Sequence, residues 1–266
     1  MSGLSNIFGV PKALIGMVHL LPLPGSPRWD GEMGAVIRRA VEDARSLEAG
    51  GMQGVIVENY GDVPFAAGRV EAATVAAMAV VIAEVRRAVA FPVGVNVLKS
   101  DARSGLAIAA ATGARFIRVN VHTGVVVADQ GLIHSDAYST LRDRRLLAAD
   151  VKIFADVQAK HGLPLVPTEL EQEAKDSVSR SLADVLVVSG KATGEETPME
   201  EVKRVRAAVP STPLLVGSGA TPETIRALLS VADGAIVGTF LKRDGKLANP
   251  VDPDRVRRLV EAARAG

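Results

Sequence analysis

The sequence predicts an α/β protein, a closed barrel of eight parallel strands each followed by a helix. Three observations carry this. Short runs rich in Val, Ile and Leu recur along the chain, each entered from a Gly, Ala, Asp or Pro and each followed by a longer segment of helical period. The entries resemble one another, as in Gly51-Met52-Gln53-Gly54-Val55-Ile56-Val57, Gly113-Ala114-Arg115-Phe116-Ile117 and Ala232-Asp233-Gly234-Ala235-Ile236, so one βα unit is repeated. Eight such units fill the 266 residues, close to the roughly 250 that such a barrel takes. An open doubly wound sheet uses the same unit and is the alternative, because periodicity does not report closure.

Taken in order, the expected strands are 13–19, 54–59, 92–98, 115–121, 151–157, 184–189, 213–217 and 234–239. The first expected helix shows the logic of the others. Met33, Val36, Ile37, Ala40, Val41, Ala44 and Leu47 form an i, i+3, i+4 stripe, and Arg38, Arg39, Glu42, Asp43 and Arg45 fill the other positions, so one face covers a sheet and the other meets water. Similar helices are expected near 68–89, 101–112, 136–149, 169–181, 198–208, 221–231 and 253–264. No linker, low-complexity tract or composition shift divides the chain, which reads as a single domain over residues 1–266.

Composition narrows the function classes. With 31 Lys+Arg against 30 Asp+Glu the net charge is +1, and no basic run interleaved with aromatics occurs, so nucleic acid is not an expected partner. The absence of cysteine removes disulfides, thiolate metal sites and a cysteine nucleophile together. The longest apolar run, Val70 to Val85, is interrupted by Glu71, Thr74 and Glu84 and is too short to span a bilayer. Residues Met1 to Val10 show no positive n-region followed by an apolar h-region, so no secretory signal is expected. A cytoplasmic location is expected.

Strand parity sorts the polar residues. One side of each strand must face the helices and be apolar; the other faces the barrel interior, where polar groups are tolerated near the mouth. Parity sends Arg118, Asn120 and His122 inward from the fourth strand, Glu58 inward from the second, Asn96 from the third and Asp156 from the fifth, with His19 sharing a face with Ile15 and Met17. His19, Glu58, Asn96, Asn120 and Asp156 all end their strands, where barrel enzymes collect catalytic groups. Glu58, Asp156, His19, Asn96, Asn120 and Arg118 are therefore the candidate catalytic set. The competing explanation is an internal ion-pair network in which Arg118 and Lys152 neutralise Glu58 or Asp156. His134 and His161 read as loop residues without a role. The four histidines lack a spacing such as His-Glu-x-x-His, and neither a metal nor a cofactor is assigned.

The last third carries a second signal. Val216-Gly217-Ser218-Gly219-Ala220-Thr221-Pro222-Glu223 leaves the seventh strand with Thr221 placed to cap a helix, and Val237-Gly238-Thr239 leaves the eighth. Two such loops form the usual phosphate site of these barrels. Ser189-Gly190-Lys191-Ala192-Thr193-Gly194 adds a third flexible loop. Gly190, Gly217, Ser218, Gly219, Gly238 and Thr239 are the expected phosphate-binding residues, with Lys191 and His122 as substrate-binding candidates. The alternative for the glycines is tight turns with positive φ. The segment His19 to Asp30, with three prolines and Trp29, is expected to be an ordered loop that covers the site or reaches a neighbouring subunit of a homo-oligomer.

The motifs Ile15-Gly16-Met17-Val18-His19-Leu20-Leu21-Pro22-Leu23-Pro24-Gly25-Ser26-Pro27 and Val57-Glu58-Asn59-Tyr60-Gly61-Asp62-Val63-Pro64-Phe65 resemble the BtpA/SgcQ family. So do Gly94-Val95-Asn96-Val97-Leu98, Phe116 to Gly124, Ala155-Asp156-Val157 with Lys160-His161, and the Gly217 and Gly238 loops. The sequence departs from the family's pattern at Gly131 to Asp136, where an Ile-Glu-Gly-like turn is expected, and at Gln158-Ala159. The resemblance implies a phosphate-binding TIM barrel of the ribulose-phosphate-binding type, similar to the phosphoribosylanthranilate isomerase and tryptophan synthase α families. Its cyanobacterial namesake is needed for photosystem I accumulation.

Two functions from different classes follow. The first is an enzyme on a small phosphorylated sugar or nucleoside-like metabolite, of isomerase, lyase or glycosidase type, with Asp156 as base, Glu58 as acid and Asn96, Asn120 and Arg118 orienting substrate. The second is a non-catalytic assembly or membrane-biogenesis factor that offers the barrel as a protein-binding platform. A platform has no need for converging polar groups at the mouth.

Overall fold

A computed structural model describes residues 3–147, 150–190 and 192–264. Eight parallel strands, Ala13–His19, Gly54–Glu58, Val93–Asn96, Phe116–Val119, Lys152–Val157, Val185–Val188, Leu214–Val216 and Gly234–Val237, close into a barrel in chain order. Closure is explicit at the seam: Ala13 pairs with Gly234 and Gly16 with Val237 while the first strand also pairs with the second, Ile15 with Gly54 and His19 with Glu58. The open-sheet alternative is thereby excluded. Each expected strand is present, several shorter by one to three residues, because the ends flare out of the ladder where the mouth loops begin.

Two apolar layers account for the fold. Outside, the helices Met33–Ala49, Ala72–Ala88, Ala102–Thr112, Leu170–Ser179, Met199–Ala208, Ile225–Val231 and Pro253–Arg264 press residues such as Ala40, Leu47, Met78, Ile82, Leu106, Val205 and Leu259 against outward-facing Val18, Val57, Val95, Ile117 and Ala155. Inside, Ile15, Met17, Ile56, Phe116, Phe154, Val185, Val187, Leu215 and Ile236 fill the barrel. Phe116 and Phe154 stack at 4.3 Å between ring centroids. Their bulk is admitted by glycine on the neighbouring strand, since a Cβ at Gly94 would lie 2.2 Å from the Phe116 ring. The inner floor is sealed by a short helix, Ser5–Phe8, absent from the sequence reading. Leu4, Ile7 and Phe8 enter the interior cluster, and Phe8 meets Phe116 edge-on at 5.5 Å.

A second addition sits over the mouth. Val125–Ala128 pairs with Gly131–His134 and with Gly162–Pro164 in a three-stranded antiparallel sheet. Beyond it the chain forms the helix Ala137–Leu146, with Thr140 fully buried; the end of the expected 136–149 helix falls at residues 148 and 149, outside the described residues. Lys242 ties the end of the barrel to its beginning. Its buried ammonium donates to Asp43 Oδ2 at 2.8 Å, and Asp43 Oδ1 accepts from the Val251 amide at 2.7 Å. Such a pair offsets desolvation only because every group in it is hydrogen-bonded.

Candidate functional site

The C-terminal ends of the strands surround a cavity of about 600 Å³, the size of a small-metabolite site. Its wall includes Met17, His19, Glu58, Tyr60, Arg118, Asn120, Lys160, His161, Gly217 to Thr221 and Val237 to Phe240; Val126, Ala128, Asp129 and Ile133 of the small sheet form one side. Parity explains the polar floor. Glu58 follows Ile56 by two positions, Arg118 follows Phe116 and Asp156 follows Phe154, so apolar side chains pack below and polar ones lie above.

Two hydrogen-bonded groups make up that floor. In the first, Glu58 is buried, accepts from Asn96 Nδ2 at 2.5 Å on Oε2 and has His19 Nε2 4.0 Å from Oε1. Burial pushes the Glu58 carboxyl up from its ordinary value, although Arg118, the Asn96 amide and Lys160 oppose the shift. Burial also drives His19 well below the usual imidazole range, aided by the positive charges of Lys242, Lys160, Arg118 and Arg39, so the ring is neutral at pH 7. Tyr60 packs edge-on against His19 at 5.1 Å. In the second group Arg118 makes a bidentate pair with Asp156, Nε to Oδ1 at 2.9 Å and Nη2 to Oδ2 at 3.0 Å, and Asn120 Nδ2 donates to Asp156 Oδ2 at 2.9 Å. Asp156 is thus spent on its neighbours and does not line the cavity, whereas Arg118 and Asn120 do. The internal ion-pair explanation describes this half of the site; Lys152 takes no part, bonding Asp150 instead at 2.8 Å.

Above the floor stands Lys160, half-buried, whose Nζ donates to the Gly217 carbonyl at 2.9 Å. Burial, and next Arg118, lower its pKa to about 8 against the attraction of Asp156 and Glu58. The glycine rim is tightly built. Gly219 has φ +72°, and a Cβ there would lie 2.3 Å from Glu196 Cα. The Gly190 amide donates to Ser218 Oγ at 2.9 Å and the Gly217 amide to Val188 O at 2.7 Å. Those two amides therefore hold the loops together, while Gly219, Gly238 and Thr239 border the cavity. Gly190 lines a separate cavity of about 870 Å³ behind the small sheet.

Several expected placements are corrected. His122 does not point into the mouth: the strand ends at Val119, and the imidazole reaches outward to the Ser181 carbonyl at 2.8 Å. Thr221 does not cap a helix with its side chain, because the chain first makes a turn in which the Thr221 amide donates to Thr224 Oγ1 at 3.0 Å; the helix begins at Ile225. The proline-rich segment after the first strand is ordered, with Leu20 and Leu23 buried and the Leu23 amide donating to Asp62 Oδ1 at 2.8 Å, yet none of residues 20–30 borders the cavity. His161 does border it, and its Nε2 lies 3.0 Å from Thr193 Oγ1. Lys191 lies outside the described residues. Lys160 lies in the Lys160-His161 pair, whose spacing gives no sign that its side chain leans back over the mouth. No group of three or more His, Cys, Asp or Glu able to hold a metal ion occurs among the described residues, and no helix there is long and apolar enough to cross a membrane.

Closed barrel and polar mouth together define a TIM-barrel protein with its cavity at the C-terminal end of the strands. The solved structures it resembles have that fold. It matches tryptophan synthase from M. tuberculosis with a TM-score of 0.59 at 15% identity, covering 96% of this chain and 93% of that one. It matches phosphoribosylanthranilate isomerase from Pyrococcus furiosus with a TM-score of 0.57 at 14% identity, covering 96% and 100%. The chain belongs to the BtpA family, whose sequence profile matches residues 10–265. It is 46% identical over 99% of its length to the photosystem I biogenesis protein BtpA of Synechocystis sp., of which it covers 92%. It is 36% identical over 98% of its length to the sgc region protein SgcQ of Escherichia coli, covering 97% of it.

Proposed function

We propose that this protein is an enzyme of isomerase or lyase type that moves a proton on a small phosphorylated metabolite held in the barrel mouth. The observation that carries the reading is Glu58: a buried carboxyl on the cavity wall, raised above its ordinary pKa, anchored on one oxygen by Asn96 and open on the other beside a neutral imidazole. Such a group keeps its proton longer than a surface carboxylate and can give it to substrate and recover it. Arg118 and Asn120, oriented by Asp156, stabilise negative charge developing on a substrate oxygen. Gly219, Gly238 and Thr239 are assigned the phosphate, and the solved barrels of similar fold include a phosphoribosyl-substrate isomerase. In this reading Asp156 orients Arg118 and Asn120 rather than serving as the base, because it bonds both of them and does not border the cavity.

The test is a thermal-shift screen of sugar phosphates beside their unphosphorylated counterparts, followed by turnover assays on the hits. A true ligand at 100 times its dissociation constant stabilises by about 2.7 kcal/mol. Glu58→Gln should bind the hit and lose about a hundredfold in turnover; turnover near that of the parent would refute the role of Glu58. The name of the Synechocystis relative favours a second reading, an assembly role. The two separate in cells, because a platform tolerates Glu58→Gln and an enzyme does not.

A further inference from the structure

We propose that Lys160 is the amine nucleophile of this site and forms an imine with the carbonyl carbon of a phosphorylated aldehyde or ketone. This rests on the reading above that the mouth takes a phosphorylated metabolite, and it names the functional group that metabolite carries.

Lysines held for charge pairing in this chain sit on carboxylates: Lys242 on Asp43 at 2.8 Å and Lys99 on Asp129 at 3.3 Å. Lys160 is arranged differently. Its Nζ donates to a backbone carbonyl, that of Gly217, and stands on the cavity wall between the glycine rim and the floor of Glu58, Arg118 and Asn120. A metabolite whose phosphate meets Gly219 and Gly238 lays its carbon chain across this amine. Burial and, after it, Arg118 disfavour the ammonium against the pull of Asp156 and Glu58 and bring the pKa to about 8, so a share of free amine is present at pH 8, and an amine rather than an ammonium is what attacks a carbonyl.

The step balances without an oxidant or reductant. The Nζ lone pair forms the C–N bond as the carbonyl π pair moves to oxygen; that oxygen takes the Glu58 proton, and Nζ passes one of its own protons to the Glu58 carboxylate. The C–O bond of the carbinolamine then breaks as its hydroxyl takes that proton back from Glu58, giving water, the iminium and a Glu58 carboxylate. The iminium draws electrons from the adjacent C–H or C–C bond, which both isomerisation and retro-aldol cleavage require.

The full chain is incubated at pH 8 with dihydroxyacetone phosphate or glyceraldehyde 3-phosphate and sodium borohydride, then weighed and peptide-mapped. One adduct with the probe's mass less one oxygen is expected on Lys160. It should fall about tenfold or more with unphosphorylated dihydroxyacetone, and vanish in Lys160→Met and Lys160→Arg. Mapping on the parent protein assigns the site even where a variant fails to fold. No adduct, or label spread equally over surface lysines, overturns the imine. Binding of glycerol 3-phosphate, which has no carbonyl, is measured separately by thermal shift. Its retention alongside failed trapping would remove the imine and leave the phosphate reading standing. Its loss alongside trapping at Lys160 would do the reverse.

Discussion

Replacing Asp156 by Asn probes the floor of the site most directly. The parent carboxylate accepts two parallel bonds from Arg118, at 2.9 and 3.0 Å, and a third from Asn120 at 2.9 Å, and both charged side chains are almost fully buried, at 6% and 2% exposure. An amide of the same shape keeps one acceptor but turns an NH2 group towards one of its donors and leaves the guanidinium without its counter-charge. Breaking a buried pair by removing one partner costs about 3–5 kcal/mol. For a chain of this length that lowers Tm by roughly 10 °C. Urea unfolding, followed by far-UV circular dichroism and by the fluorescence of Trp29, the single tryptophan, which packs partly buried against the core, measures the loss as a lower midpoint at unchanged slope. The double substitution Arg118→Met with Asp156→Leu is the control, expected within about 2 kcal/mol of the parent because no charge is then stranded. A stability loss below about 1 kcal/mol in Asp156→Asn would refute the claim that this ion pair builds the floor.

Glu58→Gln should move stability the other way. A carboxyl whose folded pKa is raised contributes stability that is present at low pH and lost as pH rises, so removing it raises Tm at pH 8 and gives little benefit at pH 4, which scanning calorimetry at both values checks. Gly94→Ala drives a methyl into the Phe116 ring and should cost about 1–3 kcal/mol in urea unfolding. Lys242→Met strands Asp43 in the interior with only the Val251 amide and Arg39 beside it, and a loss of about 3 kcal/mol in the same assay is expected.

The barrel was legible because its signals are local: a strand entry, an apolar run and an amphipathic stripe recur eight times, and parity alone separated Ile117 and Val119 from Arg118. Parity failed at His122 because alternation holds only while the ladder lasts, and the strand stops at Val119. The floor helix at Ser5–Phe8 spans a single turn, too short for a period to show. The small sheet was missed in spite of a hairpin-like pattern, Val125-Val126-Val127-Ala128 followed by Asp129-Gln130-Gly131, because the eight-unit count left no place for extra strands. Which polar residues bond each other was beyond reach. Sequence placed Glu58 and Asp156 in the same chamber, but their different duties depend on Arg118 turning towards one of them, a choice of side-chain direction that no spacing records.

The floor helix has a consequence for the chemistry. With Leu4, Ile7 and Phe8 wedged beneath Phe116 and Phe154, the chamber has an apolar bottom among the described residues, and Glu58 opens to the cavity at the mouth. If the protein is the enzyme proposed above, a hydrogen taken by Glu58 from a bound metabolite is shielded from exchange until that metabolite moves. Run in heavy water, turnover would return much of the original hydrogen to the product, and the fraction retained becomes a clock comparing departure of the product with opening of the chamber.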